Sequence, residues 1–175
     1  DVAEVVLPLL LLLANNSFLR QDSTRRFKPH PLMWQFIRNK ADQYLPLNTD
    51  IQEKHATYFM AFVQAREGFH EHPEVVLLRH ELNIELANIR RAWHFATDHL
   101  WEDLLGQSNL TLFWHFLTQG RKAEGAAFFE EASQTLSSES LTHARILHRH
   151  SALLNLSGDE ESSRPILERR LVLNR

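Results

Sequence analysis

The chain has 175 residues, 43% of them apolar, with eleven Phe and four Trp but only five Gly and six Pro. That supply of bulky side chains is enough for a buried core, and the scarcity of Gly and Pro excludes a collagen-like chain, a disordered one and a turn-rich β-sandwich. The absence of Cys excludes disulfides, thiolate metal sites and thiol catalysis, and fits a reducing, cytoplasmic compartment; the net charge of −3, with six Lys/Arg against four Asp/Glu in 1–46 and thirteen against eighteen in 47–175, is too mild to mark a nucleic-acid binder.

Residues 5–14 are an apolar run with leucine at every position from 9 to 13. The run is shorter than the roughly 20 residues a membrane helix needs, and no basic stretch precedes it. We therefore expect a buried core helix, with neither a membrane span nor a secretory signal. A start inside an apolar helix without Met, and an end in mid-pattern at 171–175, lead us to expect a segment of a longer protein. Residues 17–20 and 26–28 are short extended stretches around a polar turn, a β-hairpin and the one sheet expected. Pro29, His30 and Pro31 break the second strand, and Pro31 suits the first position of a helix. Leu32, Phe36, Ile37, Ala41 and Tyr44 follow at helical spacing over 31–44, until Pro46 ends the run. Helix, hairpin, helix is the order of the back half of a winged-helix domain. The boundary is expected at 46–50, giving a first domain over 1–46 and a helical one over 47–175.

Beyond the boundary every segment reads as helix. Residues 51–69 carry Tyr58, Phe59, Phe62 and Val63 on one face. Leu78, Leu82, Leu86, Ile89, Trp93, Ala96 and Leu100 form an apolar stripe at helical period. Trp93 and Ile89 are expected to pack on the next helix, 101–119, which bears Phe113 and Trp114 and is apolar nearly all round. Gly120 caps that helix, and 121–136 buries Phe128, Phe129 and Ala132. Residues 141–156 and 160–174 form a second pair around Gly158. The two glycine turns lie 38 residues apart, a separation expected of stacked helical hairpins. The fold class is thus mainly α: a partial winged helix, then an antiparallel helical bundle or tetratricopeptide-like α-solenoid presenting a groove.

Chemistry-bearing motifs are sparse. No phosphate loop, G-x-S-x-G elbow or H-E-x-x-H pattern occurs, so the chain by itself is expected to bind no ATP, to need no cofactor and to be no enzyme. The eleven His include the pairs His70/His72 and His148/His150, whose i, i+2 spacing points to different faces of a helix; we expect solvated or capping roles and no metal site. Glu81, Glu85 and Asn88 flank the apolar stripe and suit hydrogen bonds between helices, with Asn88 bonding a neighbouring loop or helix end. Arg20, Arg25, Arg26 and Lys28 make the hairpin basic, and Arg25, Arg26 and Lys28 are candidate DNA-phosphate contacts. His30 stands at the N-cap of the 31–44 helix, where free N–H groups favour an anion; the residues alone also allow it a plain capping or packing role.

Three stretches resemble the STAND family of signal-transducing ATPases, the large regulators of the MalT/LuxR and AfsR type. Ser17-Phe-Leu-Arg20 followed by Phe27-Lys-Pro-His30-Pro31-Leu32 is similar to the end of that family's winged-helix domain, where a His-containing motif opens a helix. Glu85-Leu-Ala-Asn88-Ile89-Arg90-Arg91-Ala92-Trp93 is similar to its E-x-x-N-L-R-x-A-L pattern. The stretch from Leu112 through Gly120-Arg121-Lys-Ala-Glu124-Gly125 to Ala132 is similar to the start of its tetratricopeptide-like array. They occur in the family's order over most of 15–135, and 141–175 looks like one further hairpin. Pro31 stands where the family's Met-His-Asp form has Asp, and Pro29 where it has Met.

The resemblance implies a non-catalytic regulatory or scaffold segment of a transcription-regulating ATPase. Its own nucleotide-binding domain, with ADP or ATP, would lie elsewhere in the intact protein. The helical array would bind a protein partner or small inducer, and His30 would meet the β-phosphate of ADP. The reading from another class is a DNA-contacting winged-helix module with a helical dimerisation region.

Overall fold

The computed structural model describes residues 2–22, 26–41, 45–137 and 140–173. Among these it is mainly helical, with one small two-stranded antiparallel sheet. The chain divides into two compact units, Asp1–Ile51 and Gln52–Arg175.

The first unit runs helix, hairpin, helix: α1 (Val2–Asn15), β1 (Leu19–Gln21), β2 (Phe27–Pro29) and α2 (Pro31–Ala41). α1 stops at Ser17, whose φ of +62° turns the chain so that the Phe18 N–H reaches back to Leu13 O at 2.9 Å. This helix stop uses up Ser17 and Phe18, so β1 begins at Leu19 rather than at 17. Pro29 ends β2 opposite Leu19 instead of breaking it; the end of an edge strand needs no N–H there. The Asp22 carboxylate holds the turn, accepting the Arg26 N–H at 3.1 Å and pairing with Lys28 Nζ at 2.9 Å.

The buried core helix expected at 5–14 is corrected: Val6, Leu7, Leu9, Leu11 and Leu12 are 42–57% exposed. The helix is apolar on all sides, and a short hairpin and an eleven-residue helix offer too little surface to cover it. No described helix is long and apolar enough to cross a membrane.

α3 (Leu45–Gln64) begins before the expected boundary, with Pro46 inside its first turn instead of ending the preceding helix. The division between the units falls within it. α3 stops at Gln64, short of the expected 69; Gly68, at φ +71°, leads into a 3-10 turn at Phe69–Glu71 that buries Phe69. Its packed face is Ala56, Met60 and Val63, flanked by Phe59 and Phe62, while Tyr58 is exposed.

The second unit continues through α4 (Val75–Asp98), α5 (Glu102–Thr118), α6 (Lys122–Thr135), α7 (Leu141–Ser157) and α8 (Glu160–Leu173). α4 buries Leu82, Leu86, Ile89, Ala92, Trp93 and Ala96 along the stripe read from the sequence. The stripe ends one residue early, because Leu100 lies past the helix at φ +56° and is exposed. Its N–H goes to Thr97 O at 3.1 Å and that of Trp101 to Ala96 O at 2.8 Å, a Schellman stop built on a branched residue. α4 packs on both the expected α5 and on α6, and the ring neighbours of Trp93 are on α6, with centroids 4.9 Å from Phe128 and 5.5 Å from Phe129. Gly120 and Gly158 end α5 and α7 at φ +70° and +92°, with the same pair of backbone bonds, so α5–α6 and α7–α8 are two tight helical hairpins.

Candidate functional site

Two features of the second unit gather polar side chains from distant stretches of sequence. The first is a clamp. Glu124, at the start of α6, takes the guanidinium of Arg90 from α4 on one carboxylate oxygen and that of Arg121 on both. Arg121 also reaches Asn83 at 3.5 Å. Both arginines lie over Phe116, at 5.9 Å each from the ring centroid. Beside the clamp Gly125 has no room for a side chain, since a Cβ there would stand 2.7 Å from that of Phe116 and 2.9 Å from Leu153 Cδ1. Arg90 belongs to one of the stretches singled out in the sequence, and Gly120, Arg121, Glu124 and Gly125 to another. The fold makes one structural joint of the two.

The second feature is a cleft of about 550 Å³ with α5 as one wall and α7 as the other. α7 contributes Arg145 and Arg149, four residues apart and so on one face of the helix. Across from them stand Asp103 and Asn109 of α5, and Glu67 from the turn after α3. Arg149 is positioned from two sides: its Nε donates to Asn109 Oδ1 at 3.4 Å, and its guanidinium lies 5.2 Å from the centroid of Phe113. Asn109 is buried, its amide donating to Leu105 O at 3.3 Å and Gly106 O at 2.5 Å. At Gly106 the walls close to contact, where a Cβ would lie 2.8 Å from Thr142 Oγ1. Thr142 donates to Glu102 O at 3.2 Å, and Ser140, the N-cap of α7, donates to the Glu102 carboxylate.

The flank of α4 is structural, as its spacing implied. Glu81 takes Arg66 at 2.6 Å, and the guanidinium of Arg66 stacks 3.4 Å from the Phe62 centroid. Asn88 bonds Glu85 at 2.7 Å and His55 of α3, a helix face rather than the loop or helix end expected. Burial is the main cause that lowers the His55 pKa, partly offset by that Asn88 bond.

The histidines correct the expectation of solvated or capping roles. His72 does cap, accepting the Glu74 N–H at 3.1 Å. His115, His143 and His150 are instead buried. His115 has no protein partner on either ring nitrogen among the described residues, and burial drives its pKa down to about 4, with Arg121 adding to the shift. His143 Nε2 meets Ser133 O at 2.9 Å, and His150 Nδ1 lies 3.4 Å from Ser133 Oγ with its pKa lowered by burial. Ser133 and His150 do not form a nucleophile–base pair, because the hydroxyl donates to Glu130 O of its own helix at 2.6 Å. Among the described residues no group of three or more His, Cys, Asp or Glu is placed to hold a metal.

No protein-family model, curated protein or solved structure matches the chain.

The candidate nucleotide and DNA contacts read from the sequence lie in the first unit. His30 is exposed and N-caps α2: its Nδ1 accepts the Leu32 N–H at 3.4 Å, and its carbonyl starts the helix by accepting the Trp34 N–H at 2.9 Å. With Nδ1 as acceptor, the neutral ring carries its proton on Nε2 and remains a donor there. Lys28 Nζ pairs with Asp22, to which Arg26 donates its backbone N–H, and Arg25 lies outside the described residues. The cleft residues Glu67, Asp103, Arg145 and Arg149 were missed. The available signals were weak: an i, i+4 pair of arginines, and Gly106 alone inside a helical stretch, the mark of a close approach.

Proposed function

We propose that the chain is a non-catalytic regulatory and scaffold segment of a STAND-type signalling ATPase. It comprises the end of a winged-helix domain followed by a tetratricopeptide-like array. The array takes up a protein partner or small inducer and biases a nucleotide-binding domain elsewhere in the intact cytoplasmic protein, where ADP or ATP is bound.

The observation that carries this reading is a sequence separation repeated in six of the ties between helices. Arg90–Glu124 and Lys122–Leu156 span 34 residues, Arg121–Asn83 and Ser140–Glu102 span 38, and Thr142–Glu102 and Arg149–Asn109 span 40. These values bracket the 38 residues between the glycine turns at 120 and 158. Five of these six ties join α4 to α6 or α5 to α7, corresponding helices of successive hairpins, as expected of a stacked solenoid, while Lys122–Leu156 joins α6 to α7; the cleft lies between the first helices of two successive hairpins.

His30 is the proposed link to the nucleotide. It stands at a helix N-terminus, where the unpaired N–H groups and the dipole favour phosphate, and its Nε2 supplies a further donor. In the intact protein His30→Ala is expected to weaken ADP retention and raise basal output while leaving the melting temperature unchanged. If nucleotide affinity and basal output both stay at the level of the parent protein, His30 is only a helix cap. A DNA-contacting wing is less well supported, since Asp22 already engages Lys28.

A further inference from the structure

We propose that the cleft between α5 and α7 binds a small zwitterion, a free amino acid or short peptide, with its carboxylate on Arg145 and Arg149 and its ammonium on Asp103 and Glu67. The ligand class rests on the sensor reading above; the site itself rests on charge and geometry.

The cleft is bipolar. The α7 wall brings two guanidinium groups, while α5 and the turn after α3 bring two carboxylates. Among the described residues the side chains of Arg145, Asp103 and Glu67, all exposed, form no ion pair or hydrogen bond, which leaves them open to a ligand. The open volume among them, about 550 Å³, lies within the roughly 300–1,000 Å³ of small-molecule sites. Elsewhere in the unit comparable charges are engaged, as in the Arg90–Glu124–Arg121 clamp and the Arg66–Glu81 pair.

One half of the site is preorganised. Asn109 and Phe113 fix Arg149 before any ligand arrives, which lowers the ordering cost of binding, and a planar guanidinium suits a carboxylate. The charges select by exclusion as well as attraction. A simple anion such as phosphate would meet repulsion from Asp103 and Glu67, and a simple cation would meet Arg145 and Arg149; a molecule carrying both signs a few bonds apart satisfies both walls. The tie between the walls at Gly106, Thr142 and Glu102 leaves no passage there for a long chain, so the ligand is short.

The test is a titration of the full chain with the standard free amino acids and simple dipeptides, followed by amide-resolved NMR and thermal shift up to about 10 mM, the range of weak small-ligand affinities. At least one is expected to bind saturably and raise the melting temperature. Its N-acetylated and its amidated forms should each bind at least about tenfold more weakly, as should the parent ligand to Arg145→Gln or Asp103→Asn. The proposal is overturned if none of the panel binds, if the capped forms bind as well as the free ones, or if inorganic phosphate binds as tightly as the best amino acid. The same ligand is then added to the intact protein while ADP affinity is measured. Zwitterion binding that leaves ADP affinity unchanged upholds the site and removes the sensor reading. A protein partner that shifts ADP affinity, with no amino acid binding, removes the site and leaves the sensor reading standing.

Discussion

α1 and α5 are both rich in bulky apolar side chains, and they dispose of them in opposite ways. α5 buries Leu105, Leu112, Phe113 and Phe116 among α3, α4, α6 and α7, and even draws Ser108, Asn109, Thr111 and His115 into the interior. α1 is the more apolar of the two, yet it leaves Val6, Leu7, Leu9, Leu11 and Leu12 exposed. Burial is decided by how much complementary surface a unit can bring to a helix, and only then by the helix's own composition. The second unit supplies five further helices; the first supplies a hairpin of three-residue strands and α2.

The widest separation of the two regions comes from truncating one residue in each. Trp93→Ala removes a fully buried ring set against Phe128 and Phe129 and is expected to cost about 3–5 kcal/mol in urea unfolding of the second unit. Leu9→Ala in α1 should change stability by less than about 0.5 kcal/mol. Equal losses at the two positions would mean that α1 is covered after all.

Acid offers a second contrast, because the fully buried histidines described all lie in the second unit. His115 takes up its proton near pH 6.5 when unfolded and only near pH 4 when folded. Within that window the unfolded state binds more protons, so stability falls as pH drops from about 6.5 to 4 and then levels off. The full loss is about 3 kcal/mol, at 1.36 kcal/mol per unit of pKa difference, and the lowered pKa values of His55 and His150 act in the same direction. His115→Phe should flatten most of the slope between these limits; an unchanged slope would assign it to other groups.

A smaller effect, of opposite sign, is expected at Leu100. A branched side chain at φ +56° is disfavoured by about 1–2 kcal/mol relative to glycine, and the Leu100 side chain is exposed, so little packing is lost with it. Leu100→Gly should therefore stabilise the second unit by about 1 kcal/mol, read as a higher denaturant midpoint at constant slope. The gain is reduced by the entropy that glycine adds to the unfolded chain.

Much of the second unit was legible because its signals are local. The apolar stripe from Leu82 to Ala96 has one period and one face, and Gly120 and Gly158 sit where helices stop. Leu100 misled because it continues the stripe's spacing while the backbone has already turned. The ring neighbours of Trp93, Phe128 and Phe129, were not foreseen because the sequence orders the helices without saying that α6 lies against α4 as α5 does. The buried histidines were misjudged as polar, although a neutral imidazole can be carried into a core. The cleft was hidden for a plainer reason. Glu67 and Arg149 lie 82 positions apart in the chain, and only the packing of α5 on α7 brings the two walls together.

The six ties that span 34 to 40 residues also bear on how the second unit assembles. Closing a loop costs entropy that grows only with the logarithm of its length, so each of these ties asks nearly the same of the chain. None requires the far end of the polypeptide to be present. Once α4 and the hairpin of α5 and α6 have formed, α7 can dock on them as it leaves the ribosome, and α8 can follow. Folding can thus keep pace with synthesis, with the Arg90–Glu124–Arg121 clamp closing before the cleft has gained its second wall.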